Sequence, residues 1–154
     1  MSVPSVRPGN GPDTGITRKT MLALAYILCE RRPRAPHSSP PPSGRHETSP
    51  SGPGDWEAEA RFLLPTPTAF LDALEAAGLA DRGHPTDLGV QVSTDILFED
   101  GDITGQTVVQ PAEIHALLPH VDESTCQRLR AWDAFARSLE ADGQDVRLVI
   151  WFIR

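Results

Sequence analysis

The stretch Val146-Arg147-Leu148-Val149-Ile150-Trp151-Phe152-Ile153-Arg154 decides the fold. On an extended chain, successive side chains point to opposite faces. Val146, Leu148, Ile150 and Phe152 then lie on one face, and Val149, Trp151 and Ile153 on the other. Both faces are apolar, the run has no Pro or Gly, and its two arginines sit near its ends. A strand of this kind is covered on both sides. The reading predicts an interior strand with Ile150 and Trp151 packed into opposite layers.

Working back from this strand, Gly143 ends a helix that Asp122 caps, with Glu123 well placed near the positive end of the helix dipole. Cys126, Leu129, Trp132, Ala136 and Leu139 keep helical spacing along it. Pro111 opens a shorter helix whose Ile114, Leu117 and Leu118 face inward, and Pro119 closes it. Before that, Thr107 to Gln110 reads as a strand, with Gly105 marking a bulge. Val90, Val92, Thr94, Ile96 and Phe98 alternate with Gln91, Ser93, Asp95, Leu97 and Glu99, which predicts a half-buried strand. Asp100-Gly101 supplies the residues of a tight hairpin turn after it. Thr66-Pro67 starts a helix carrying Phe70, Leu71, Leu74 and Ala77, and Gly78 with Leu79 suits its end. Trp56, Ala60 and Leu63 are spaced as a short helix. The expected fold is α+β: a small mixed or antiparallel sheet of about three strands, the C-terminal one interior, packed with helices.

Residues 55–154 form one expected domain. Residues 1–54 read as a largely disordered region with a possible short helix at 18–31. Between positions 32 and 54 there are seven Pro, five Ser and three Gly and no large apolar side chain. Such a segment cannot bury enough surface to offset its ordering entropy.

Charge divides the same way. Residues 1–54 carry seven basic and three acidic side chains, whereas residues 55–154 carry seven basic and eighteen acidic, a balance of −11. A body so acidic is repelled by phosphate backbones and by anionic membrane surfaces. This argues against nucleic-acid and membrane partners and favours a basic protein. The apolar run Met21 to Cys29 follows Arg18-Lys19, as in a secretory signal, but no small-x-small cleavage site follows it. It is also too short to span a bilayer. Two cysteines, Cys29 and Cys126, make no disulfide framework. Reduced thiols in a cytoplasm are the expectation. Lys19 is the only lysine beside thirteen arginines, which points to a high-GC bacterial source.

The densest group of potential ligands is acidic: Asp95, Glu99, Asp100 and Asp102. Carboxylates at this spacing can hold a hard cation, but they do not match the twelve-residue calcium loop. His115 and His120 are separated by Pro119 and do not share a helix face as paired zinc ligands do. No Gly-rich phosphate loop, nucleophile elbow or paired-cysteine motif is present, so neither a cofactor nor a catalytic residue is assigned. The reading that follows is a non-enzymatic bacterial interaction domain, a monomer or homodimer. It would bind or neutralise a basic protein as immunity proteins do, with Asp95, Glu99, Asp100, Asp102 and Trp151 as contact residues. The alternative is a small metal-dependent hydrolase built on the acidic hairpin.

Overall fold

A computed structural model describes residues 22–34 and 55–154. The expected disorder of residues 1–15 and most of the expected linker lie outside these residues. The sheet has four strands, one more than the sequence suggested: β1 (Leu24–Pro33), β2 (Glu57–Leu64), β3 (Ile103–Val109) and β4 (Gln144–Ile153). They lie in the order β2-β1-β4-β3 and every neighbouring pair is antiparallel. Among the described residues four α-helices pack with the sheet: α1 (Pro67–Ala76), α2 (Val90–Leu97), α3 (Ile114–Leu117) and α4 (Glu123–Ala141). Short 3-10 turns flank α3.

The C-terminal strand is interior, as its two apolar faces require. All eight residues from Val146 to Ile153 are buried. On one face Val146, Leu148, Ile150 and Phe152 join Ala25, Ile27 and Cys29 of β1 in the main core. Helices α1, α3 and α4 cover this core with Phe70, Leu74, Ile114, Leu117, Leu129 and Trp132. Burying each large side chain of this kind is worth roughly 1.5–3 kcal/mol. On the other face Val149, Trp151 and Ile153 form a second, smaller cluster with Leu28 and with Val92 of α2. The described residues therefore form three layers, with the sheet in the middle and, among them, α2 as the helix on the second side.

Local signals place most of the helix ends. Pro67 opens α1 behind Thr66. Gly78 has φ +70° and donates to Glu75, while Leu79 donates to Leu74 and is buried. This is a Schellman C-terminus, and it needs a residue without a Cβ penalty at Gly78. Asp122 accepts from Thr125 N at 2.8 Å and caps α4. Gly105 marks an irregularity of register between Thr104 and Thr107, as the bulge reading expected.

Three expected elements are corrected. The helix expected at 18–31 is instead strand β1 from Leu24 onward, and it is a central strand flanked by β2 and β4. The sheet thus draws on residues before Asp55. The helix expected around Trp56–Leu63 is strand β2, an edge strand. The strand expected over Val90–Glu99 is helix α2, so Asp100-Gly101 makes no hairpin and instead links α2 to β3. Gly101 is not among the positive-φ glycines. Its requirement is contact, since a Cβ there would sit 2.4 Å from Ile153 Cγ2.

Among the described residues, no helix is long and apolar enough to cross a membrane.

Candidate protein interface

Helix α2 is held at its start by a buried carboxylate. Glu30 Oε1 accepts from the Gly89 amide at 2.8 Å, placing negative charge at the positive end of the helix. Gly89 is fixed by this approach, because a Cβ would stand 2.3 Å from Trp56 O. Val92 and Ile96, four residues apart, then face the sheet. On the flank, Gln91 donates to Asp95 at 2.8 Å, and Asp95 pairs with Arg61 of β2. Arg61 also lies 5.8 Å above the ring of Tyr26.

The outer face of α2 is apolar where an outer face is ordinarily polar. Val90, Leu97 and the C-cap residue Phe98 are 72, 76 and 75% exposed. With Thr94 they occupy positions i, i+4, i+7 and i+8, which is one stripe of a helix. The exposed large hydrophobics among the described residues are these three and Leu63 of β2. Leu63 pairs with Tyr26 and so lies on the same side of the sheet as α2.

Carboxylates lie within and just after this stripe along the chain. Residues 90–102 hold Asp95, Glu99, Asp100 and Asp102 and no basic side chain. Arg61 neutralises Asp95. Glu99 Oε1 accepts from Gly101 N at 3.3 Å, while Asp100 and Asp102 are exposed. Four of the five contact residues named from sequence thus fall along one helix and the loop after it. Trp151 does not. It is 1% exposed, stacked on Tyr26 at 5.3 Å between ring centroids, and belongs to the second core.

The hairpin that would have gathered these carboxylates for metal chemistry is not formed. Among the described residues, no three His, Cys, Asp or Glu side chains come together in a way that could hold a metal ion. His115 lies elsewhere, beside Asp133 at 3.4 Å and Arg137 at 2.8 Å on α4. Cys29 is a buried thiol that burial, then the charges of Glu59 and Glu30, push up to about 12, so it is no nucleophile.

Sequence reasoning missed a second cluster, centred on Arg147. Its guanidinium bonds Glu30 at 2.7 Å, the Asp87 carboxylate at 2.7 Å and the Asp87 carbonyl at 2.9 Å. It also lies 3.9 Å over the ring of Trp56, whose indole N–H donates to Asp87 at 3.0 Å. The Arg147 hydrogen bond, followed by opposing desolvation and then the Trp56 bond, holds the Asp87 carboxyl below its ordinary range. A cavity of about 410 Å³ opens beside this cluster, lined by Arg32, Arg34, Trp56, Asp87, Asp145 and Arg147 among others. Its arginines are already paired, Arg32 and Arg34 with Asp145 at 3.4 and 3.1 Å and Arg147 with Glu30 and Asp87. The cluster ties the loop before α2 to the two central strands. A charged residue inside an apolar strand, once at Glu30 and once at Arg147, was the signal available in sequence.

No protein family model, no curated protein and no solved structure matches this chain.

Proposed function

We propose that this protein is a non-enzymatic interaction domain that binds a basic protein through the outer face of α2, in the manner of an immunity protein that neutralises its target. The observation that carries the reading is the stripe Val90-Thr94-Leu97-Phe98, whose three large apolar side chains are about three-quarters exposed. Exposed apolar side chains scattered singly need no explanation, but three on one short helix do. Interfaces combine an apolar centre with a polar rim, and rim charge selects the partner and speeds encounter. The carboxylates that follow the stripe along the chain, Glu99, Asp100 and Asp102, would supply such a rim, on a folded body whose described residues carry ten basic and nineteen acidic side chains, a balance of −9. A complementary surface is apolar at its centre and rich in Arg or Lys around it.

Both sheet edges are poor alternatives. β2 carries Glu57, Glu59 and Arg61 and has a register shift opposite Cys29/Glu30, and β3 has its own at Gly105. Charges and bulges of this kind discourage strand addition. That leaves the helix face as the surface suited to a partner.

The test is affinity capture from the native host with the full chain and with a Leu97→Ser/Phe98→Ser variant, followed by titration of the purified captured protein. The reading expects a basic protein whose affinity falls by about 100-fold in the variant, the loss expected of two anchor residues. Equal affinity for both forms, an acidic partner, or capture of nothing would overturn it.

A further inference from the structure

We propose that His84 is a proton-operated latch on the layer that covers the second face of the sheet: protonation of its imidazole releases the loop of residues 80–89 together with α2 and uncovers Trp151. The regulatory consequence, loss of the apolar stripe in acid, rests on reading α2 as an interface. The latch itself does not.

The geometry is that of an imidazole set where a charge has no counterpart. His84 stands edge-on to Trp151, ring centroids 6.4 Å apart and planes at 82°. His84 Nε2 is buried with no hydrogen-bond partner, and so is Trp151 Nε1. Around Trp151 the cluster is apolar: Leu28, Val92, Val149 and Ile153. His84 as a whole is half-buried, but its Nε2 is sealed without a partner, so a neutral ring unprotonated at Nε2 is tolerated, whereas an imidazolium places an N–H donor at Nε2 with nothing to receive it.

Among the described residues, the charged groups on the surrounding elements have partners elsewhere or are exposed: Arg31 takes Glu57 and Glu59, Arg32 takes Asp145, and exposed Arg154 reaches Thr104. On β1 and β4, Glu30 and Arg147 are bonded to each other, and Tyr26 is stacked on Trp151. In the loop itself, Asp87 is taken by Arg147, Arg82 reaches Glu113 at 2.9 Å, and Asp81 is exposed. On α2, Asp95 is paired with Arg61, and β3 contributes no titratable side chain. Desolvation accordingly lowers the His84 pKa from its ordinary value. The sign follows. A released loop leaves His84 in water with an ordinary pKa, so the released form binds the proton more tightly. As pH falls from the ordinary histidine value toward the lowered one, the released population rises by about tenfold per pH unit. The same loop is joined to α2 at Gly89, and opening it also opens the Gly89–Glu30 and Asp87–Arg147 bonds, so the released form is a minor population that protonation of His84 enlarges.

The test is hydrogen exchange on the full chain, read as protection factors at neutral and mildly acid pH, in wild type and in His84→Gln. The latch predicts that wild-type amides of 84–98 lose protection on acidification by about tenfold more than those of β1 and β4. In His84→Gln, which cannot titrate, that selective loss is absent. A uniform loss in wild type, or the same selective loss in His84→Gln, overturns the proposal. Should that variant fold poorly, NMR titration of His84 in the wild type decides: a pKa at or above the ordinary histidine value overturns it too. Neither readout involves a partner, so failure here leaves the interface reading standing, and failure of the interface leaves the latch standing.

Discussion

Arg147 and Glu30 face each other directly across the two central strands, and their side chains meet at 2.7 Å where Arg147 is 5% and Glu30 0% exposed. A buried pair of this kind costs desolvation that only its full set of hydrogen bonds offsets. Here the set is complete: Glu30 also takes the Gly89 amide, and Arg147 also takes Asp87. Removing one partner strands the other. Arg147→Ala should cost about 3–5 kcal/mol in urea unfolding, whereas the double variant Glu30→Leu/Arg147→Leu should recover most of that loss. A double variant no more stable than the single one would show that the pair does more than satisfy itself.

The interior position of β4 makes both of its faces sensitive. Ile150 lies in the main core and Trp151 in the second. Ile150→Ala should cost about 2–5 kcal/mol and Trp151→Ala about 3–5 kcal/mol, measured by chemical denaturation. A well-folded Trp151→Ser protein would contradict the burial of this face.

The outer face of α2 should behave in the opposite way. Leu97→Ser and Phe98→Ser leave no cavity, so each should change the unfolding free energy by no more than about 0.5 kcal/mol. Val92→Ala, on the buried side of the same helix, should cost at least about 1 kcal/mol. Equal costs on both sides would mean that the helix is turned differently or is not a helix.

Cys29 provides a chemical check of the sheet. Its thiol, pushed up to about 12, stays protonated and sealed between β2 and β4 at neutral pH. Alkylation by iodoacetamide should occur only in denaturant. Because the folded state raises this pKa, stability should fall as pH climbs above the ordinary thiol value. Rapid alkylation of the native protein would contradict the burial.

The sequence made some of this legible for clear physical reasons. The doubly apolar run at 146–153, the Asp122 cap, the Thr66-Pro67 start and the Gly78 stop each encode one local outcome. Other segments carried two. Leu24 and Leu28 share a helical stripe, yet Ala25, Ile27 and Cys29 alternate with them as on a strand, and pairing to both β2 and β4 decided for the strand. Glu57-Ala-Glu-Ala-Arg61 is rich in helix formers, but its period of two is what the sheet edge uses. Val90 to Phe98 misled most. Its β-branched residues alternate as on a strand, yet the chain is a helix that buries Val92, half-buries Ile96 and leaves Val90, Leu97 and Phe98 outside. That exposure is also why the candidate interface could not be read as apolar: a half-buried strand would have hidden Val90 and Phe98 and left Leu97 alone among polar side chains. The four carboxylates were visible from the start, but their place beside an apolar stripe depends on α2 being a helix.

If the outer face of α2 meets a basic protein, site-specific photo-cross-linking in the native host captures that protein. A photoreactive side chain at position 97 is compared with one at exposed Arg130 on α4. The account predicts a cross-link from position 97 to a basic protein, absent from position 130 and lost when Phe98→Ser is added. No cross-link from position 97, or the same products from both positions, would contradict it.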